Sequence, residues 1–362
     1  MYKYPLGLTQ QFRFCGNPFR IDTYKGCDFG CLYCYANTRK GNYKNTFDIA
    51  DFNVIESMFK KAFESDREYS NINIELLRHK VPLHLGGMSD PFQRREWKYG
   101  LTYKLLELSN KYKYPIIIST KIANLPQKYW DILNPEIHAF QISLMGYNEN
   151  FVRKYEINTP TPQERIEFIK LLKSKGFWVG LRIQPLIDID EAILLIKNVE
   201  QYNINYITIE HLKIPVDNKS TRKLFDDVFK KYNFYKPKQG RAYEIPRNIK
   251  IENINKIKSI TNIPIGVGDN DLHELTDTRN CCGIDTINKN FNNWLKYNYT
   301  YFATAKGTEN KKNIWYPQNN CRFVLNSADR GSKDFKTVKD YVDYYCETFQ
   351  YSVFKSNQNN SQ

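Results

Sequence analysis

Three cysteines constrain this 362-residue chain more than anything else in it: Cys27, Cys31 and Cys34, in the stretch TYKGCDFGCLYCYA at 23–36. Thiolates separated by three and then two residues can wrap one corner of an iron–sulfur cubane and ligate three of its irons. The remaining iron then has no protein ligand. An open iron on a reducible cluster admits a chelating cosubstrate, as an open zinc position admits water. Gly26 and Gly30 let the backbone turn tightly around such a cluster. The competing reading is structural zinc, which wants four tetrahedral ligands, usually in two C-x2-C pairs; the local set is three thiols with no histidine nearby.

The segments around the loop alternate between short apolar runs and helical patterns, the sign of βα units on a parallel sheet. Strands are expected at 19–24, 82–87, 115–120, 137–144, 177–186 and 204–212, read as nearly continuous apolar runs of the buried parallel type. Helices are expected at 48–64, 96–112 and 190–201, and a well-capped one begins at TPTPQERIEFIKLLKSKG (159–176), with Pro160 and Pro162 near its start, Glu164 early and Gly176 after its end. Six units fall short of the eight of a closed barrel. The expected fold is therefore α/β, a partial (β/α)6 TIM-type barrel at 19–212. An N-terminal extension (1–18) precedes it, and a C-terminal accessory segment (213–362) follows, able to complete the barrel mouth. That segment holds a charged helix at 219–232 and, in ENINKIKSI and IPIGVG, one more helix and strand. The cysteine loop directly after strand one lies at the C-terminal face, where such barrels keep their chemistry.

A formal charge of +14 suits a polyanionic partner such as nucleic acid, although the abundance of Lys, Asn, Ile and Tyr also fits a compositional origin. No apolar run reaches membrane-spanning length, and the first residues lack the apolar core of a secretory signal. The chain reads as a cytoplasmic protein with no membrane partner, and eight cysteines in that setting speak for metal rather than a disulfide framework.

The CxxxCxxC loop, with Tyr33 before its last cysteine, resembles the signature of the radical S-adenosylmethionine (SAM) superfamily. GGMSDPFQRRE (86–96), STK (119–121), QISL (141–144) and KYEINTPTPQERIEFIKLLKSKG (154–176) are similar to the spore photoproduct lyase-like branch. The resemblance runs from about Phe19 to Asp188. It implies a [4Fe-4S] cluster on Cys27, Cys31 and Cys34, with SAM chelating the open iron. Reductive cleavage of SAM to a 5′-deoxyadenosyl radical that abstracts a substrate hydrogen would follow, as would an electron donor such as flavodoxin or ferredoxin. By the same resemblance Tyr33 meets the adenine of SAM through its backbone, Ser89 contacts SAM, Lys121 approaches its carboxylate and Ser143 its ribose. Tyr35 resembles a hydrogen-relaying tyrosine. The bland alternatives are a turn or buried hydroxyl for the serines, a surface charge for Lys121 and simple packing for Tyr35. The lyase proper carries a cysteine two residues before the SAM-contacting serine; here that position is Gly87, which puts the usual repair of the thymine lesion in doubt.

Three further features come from the residues themselves. Arg182, on the fifth strand, would rarely face a barrel interior without an anionic partner, which makes it another SAM-binding candidate. Glu210 and His211 end the sixth strand. In DNDLHELTDTRNCCGID (269–285), Cys281 and Cys282 are adjacent; with Cys321 they are candidates for a second cluster or zinc, or one of them supplies the missing hydrogen donor. Buried small hydrophobes are the plain alternative. The leading functional expectation is a radical SAM enzyme, of lyase or transferase type, acting on nucleic acid or a nucleobase. The alternatives are a radical SAM enzyme for a peptide or small metabolite, and a non-catalytic iron–sulfur protein.

Overall fold

In the computed structural model the described residues are 1–8, 17, 19–38, 46–67, 71–216, 219–237, 242–269, 271–278 and 281–292, with the backbone of strands Tyr299–Phe302, Ile314–Tyr316 and Cys321–Leu325. The strands of the main sheet are β1 (Leu6–Leu8), β2 (Phe19–Ile21), β3 (Leu83–Leu85), β4 (Ile116–Thr120), β5 (His138–Ser143), β6 (Val179–Leu186), β7 (Tyr206–His211) and β8 (Ile265–Val267). They lie in chain order across the sheet. From β2 to β8 every neighbouring pair is parallel, and β1 alone runs antiparallel, along the edge of β2. The six expected strands are all present. IPIGVG supplies β8, which adds a seventh parallel strand, and LGL supplies a short edge strand that the sequence reading did not anticipate.

Helices return the chain between strands: α1 (Phe52–Phe63), α2 (Ile72–Arg78), α3 (Leu101–Tyr112), α4 (Pro162–Ser174), α5 (Ile189–Val199) and α6 (Arg247–Lys258). The helix expected at 96–112 is two pieces, because the chain turns left-handed at Gly100. The carboxylate of Glu96, fully buried, accepts from the backbone N–H of Thr102 and Tyr103 and so caps α3 from outside it. Helix α4 starts as its composition suggested, with a reciprocal box between Thr161 and Glu164 worth about 1 kcal/mol.

The strands are not continuous apolar runs throughout. Their helix-facing positions are Phe19 and Ile21, Leu83 and Leu85, Phe140 and Ile142, Leu181 and Ile183, Ile207 and Ile209, all buried in one core. The alternate positions face the barrel interior and are polar on strand after strand: Arg20, His84, Ser119, Gln141, Arg182 and Thr208 all line one cavity. A filled small barrel carries branched aliphatics there. This one is hollow and polar inside. A second, smaller core (Met145, Val152, Tyr155, Leu212, Phe225, Tyr232 and neighbours) covers the C-terminal ends of β5–β7, with Tyr155 and Phe225 stacked at 4.9 Å. It fixes the 155–158 segment against the cysteine loop. Among the described residues, no helix is long and apolar enough to cross a membrane.

Candidate active site

The cysteine loop leaves β2 and is held from two sides. Gly26 and Gly30 both take positive φ, 81° and 66°, as the sequence required. On one side Gln93 donates to the Gly26 carbonyl at 3.0 Å, and its Oε1 accepts from Asp28 N–H at 3.3 Å. On the other, Leu32 N–H donates to Tyr155 O at 2.8 Å and Asn158 N–H to Phe29 O at 3.1 Å. The three thiols line a cavity of about 470 Å³, in the range that takes a cofactor-sized molecule. None of the five cysteines with described side chains forms a disulfide.

Burial pushes the Cys27 thiol up to about 12, with the nearby Asp90 charge adding to it, and burial likewise raises Cys31. Lys121 favours the Cys31 thiolate but does not outweigh burial, so a buried thiolate here calls for further positive charge, which ligated iron would provide. Among the described residues no three His, Cys, Asp or Glu side chains converge on one point, so no ready-made mononuclear site is formed. Three soft donors on a loop held at both ends fit a cubane, whose irons each take one thiolate.

The other candidate residues come to the same cavity. Lys121, just past the end of β4, is only 15 % exposed and lies 3.2 Å from the wholly buried carboxylate of Glu156. Glu156 also pairs with Arg165 of α4 at 2.7 Å, both 0 % exposed, and accepts from the Tyr33 hydroxyl. Burial alone would raise Glu156, but Arg165, Lys121 and Tyr33 outweigh it and hold the carboxyl at about 2. Arg165 in turn donates to the carbonyl of Ser143 at 2.8 Å. One carboxylate thus ties together Tyr33, Lys121 and, through Arg165, Ser143. The Tyr33 side chain is committed to Glu156. Ser89 is buried at the cavity wall and donates its hydroxyl to Tyr24 O at 2.6 Å. Asp90 beside it accepts from the Thr120 hydroxyl and from the N–H of Lys121 and Phe92; burial still raises it to about 6.

Tyr35 is half exposed, and its hydroxyl donates to the carbonyl of Gly87. The tyrosine and the position lacking the lyase cysteine are therefore neighbours. Cys281 and Cys282 line the same cavity. Their loop packs against the inner face of the sheet: Cys281 O accepts from Thr208 Oγ1 at 3.0 Å, Cys282 O accepts from Gln141 Nε2 at 3.2 Å, and Gly266 of β8 leaves no room for a side chain against Cys281. Among the described residues no metal-binding group of three forms around them, and the Cys321 side chain, like Cys15 and Cys346, lies outside the described residues. His211 is buried with Nδ1 2.7 Å from Asp269, and Glu210 pairs with Lys213 at 2.8 Å.

Sequence reasoning missed Glu156, Arg165, Arg20 and His84. The last two are single polar residues in three-residue strands, too short for period-two alternation to show. The first two pair a loop with a helix through tertiary packing.

Residues 21–196 match the family model described as Radical SAM superfamily. Two variants of spore photoproduct lyase share the fold at a TM-score of 0.51, with 14% and 13% identity, over 70% of this chain and 77% of theirs. Among curated proteins, the uncharacterized proteins Rv2578c of Mycobacterium tuberculosis and Mb2609c of Mycobacterium bovis are 25% identical over 178 residues, 47% of this chain. That match spans 50% of their length. Residues 21–196 therefore form a radical SAM domain, and its α/β fold is that of the spore photoproduct lyases.

Proposed function

We propose that this chain is a radical SAM enzyme in which Cys27, Cys31 and Cys34 hold a [4Fe-4S] cluster and SAM lies across the barrel mouth beside it. The observation that carries this reading is the single cavity shared by the three thiols, Ser89, Lys121 and Ser143. When bound and reduced by an external donor such as flavodoxin or ferredoxin, the pair supplies a 5′-deoxyadenosyl radical that abstracts a substrate hydrogen.

The protein's own residues position and shield. Lys121 offers its ammonium to the SAM carboxylate, oriented by Glu156. Ser143 serves the ribose, Ser89 contacts SAM, and the Tyr33 backbone meets the adenine. Tyr35, beside Gly87, relays a hydrogen, and with no thiol at Gly87 one of Cys281 or Cys282, which line the same cavity, donates it. The substrate is a nucleic acid or nucleobase, supported by the +14 charge and the lyase-like motifs.

The test has two arms. Anaerobically reconstituted, reduced protein is incubated with SAM and assayed for 5′-deoxyadenosine; its absence would leave only an iron–sulfur binding protein. Binding to single- and double-stranded DNA and to RNA is then measured against salt. Nucleic-acid binding predicts log K falling linearly with log[salt], by about 0.7–0.9 per phosphate contact; a flat, weak response would move the reading to a peptide or small metabolite.

A further inference from the structure

The middle of the barrel holds a polar layer that neither the cluster loop nor Lys121 and the serines account for. It is made of Arg20, His84, Ser119, Gln141 and Arg182, one from each of the five adjacent strands β2–β6. Arg182 Nη1 donates to Gln141 Oε1 at 3.0 Å, and Ser119 Oγ donates to the same oxygen at 2.9 Å. His84 Nε2 lies 2.7 Å from Ser119 Oγ. With the serine proton given to Gln141, the imidazole must be the donor in that contact, so Nε2 carries its hydrogen. Burial, and then Arg182 and Arg20, push His84 down to about 3, which leaves the ring neutral.

The cations of this layer differ from the rest of the cavity. Lys121 is paired with Glu156, Lys213 with Glu210 and His211 with Asp269. Asp90 is saturated by Thr120, Lys121 N–H and Phe92 N–H. Among the described residues Arg20 and Arg182 form no ion pair, and Gln141, the hydrogen-bond partner of Arg182, brings no charge. Two half-buried guanidiniums that perturb the same imidazole also repel each other, so the arrangement costs stability unless an anion joins it. A guanidinium fork matches phosphate and carboxylate oxygens.

We infer that Arg20 and Arg182 form an anion subsite in the barrel interior that takes a phosphate or carboxylate group of the substrate. The carboxylate of SAM already has Lys121 as its proposed partner, which leaves this pair for the substrate. In strand register Arg20 is level with His84 and, through β3, with Ile117 of β4, well before Lys121, while Arg182 is level with Ser143 at the end of β5. The Cys281–Cys282 loop borders the same layer through Gln141. A substrate anchored there would present its body between that loop and the cluster. This inference rests on the cavity being the reaction chamber proposed above.

The test is calorimetric titration of the reconstituted holoprotein with inorganic phosphate, with acetate and, separately, with SAM. The expected result is that one of the two anions binds, its identity naming the group as phosphate or carboxylate. Arg20→Gln and Arg182→Gln should each weaken that binding by about tenfold or more, with SAM affinity within about twofold. Arg182→Lys, which keeps the charge, should recover part of the loss, and melting curves of all three variants verify folding. Three results overturn the inference: the parent binds neither anion, both glutamine variants bind as the parent does, or SAM affinity falls by the same factor as anion affinity. Because binding is read without turnover, the outcome is independent of whether the reduced protein cleaves SAM.

Discussion

Replacing Glu156 by glutamine removes one negative charge from a place with no water to compensate it. Arg165 is 0 % exposed; it keeps bonds to Ser143 O and Thr159 Oγ1, but loses its counter-ion. Its Nε has no hydrogen-bond partner among the described residues, so the guanidinium has little left to lean on. Lys121, 15 % exposed, can turn its ammonium toward the cavity and water, so most of the penalty falls on Arg165. Breaking a buried pair from one side costs about 3–5 kcal/mol. At about 2 °C per kcal/mol, the lower end of the range for domains of 150–250 residues, Glu156→Gln should lower the anaerobic melting temperature by about 6–10 °C. The control is Glu149→Gln, which breaks an exposed contact with Arg153 at 3.4 Å and should cost under about 1 kcal/mol. If the two variants melt within about 2 °C of each other, the idea that Glu156 organises the mouth of the barrel is wrong.

Three further outcomes follow from the same geometry. Glu156 is held at about 2 against an ordinary value of 4.5, so its pairing stabilises the fold above pH 4.5 and is lost as pH falls from 4.5 towards 2; acid titration of stability should be shallower over that window in Glu156→Gln than in the parent. At Gly87 an added Cβ would meet nothing nearer than His84 Nδ1 at 3.9 Å. Gly87→Cys should therefore melt within about 2 °C of the parent and place a thiol beside Tyr35, whereas a loss above about 6 °C would show the position is closed. Thr161→Ala removes the start of α4 and should cost about 1 kcal/mol in denaturant unfolding; no change would mean the Glu164 half of the box suffices.

The cysteine loop was legible because its chemistry is local: three thiols and two glycines within residues 26–34 specify ligand spacing and backbone path together. The parallel strands were legible because each helix-facing side is apolar and each unit repeats. What the strand reading lost was the other side. Arg20 and His84 each sit singly between apolar neighbours in three-residue strands, too short for period-two alternation to stand out. Glu156 lay within a quoted motif, but nothing in its neighbourhood says that it is buried; its pairing with Arg165 of α4 and with Lys121 and Tyr33 belongs to the tertiary packing. Arg182 was found by its oddity on a buried strand, and the structure gives it company in Arg20 that the sequence did not reveal.

The central claim is that the loop leaves one iron of a cubane available to SAM. EPR of the reduced, anaerobically reconstituted protein, with and without SAM, tests it most directly. The account predicts a [4Fe-4S]+ signal that changes on adding SAM and that is lost when Cys27, Cys31 or Cys34 is replaced by alanine. A signal indifferent to SAM, or one that survives all three substitutions, would contradict it.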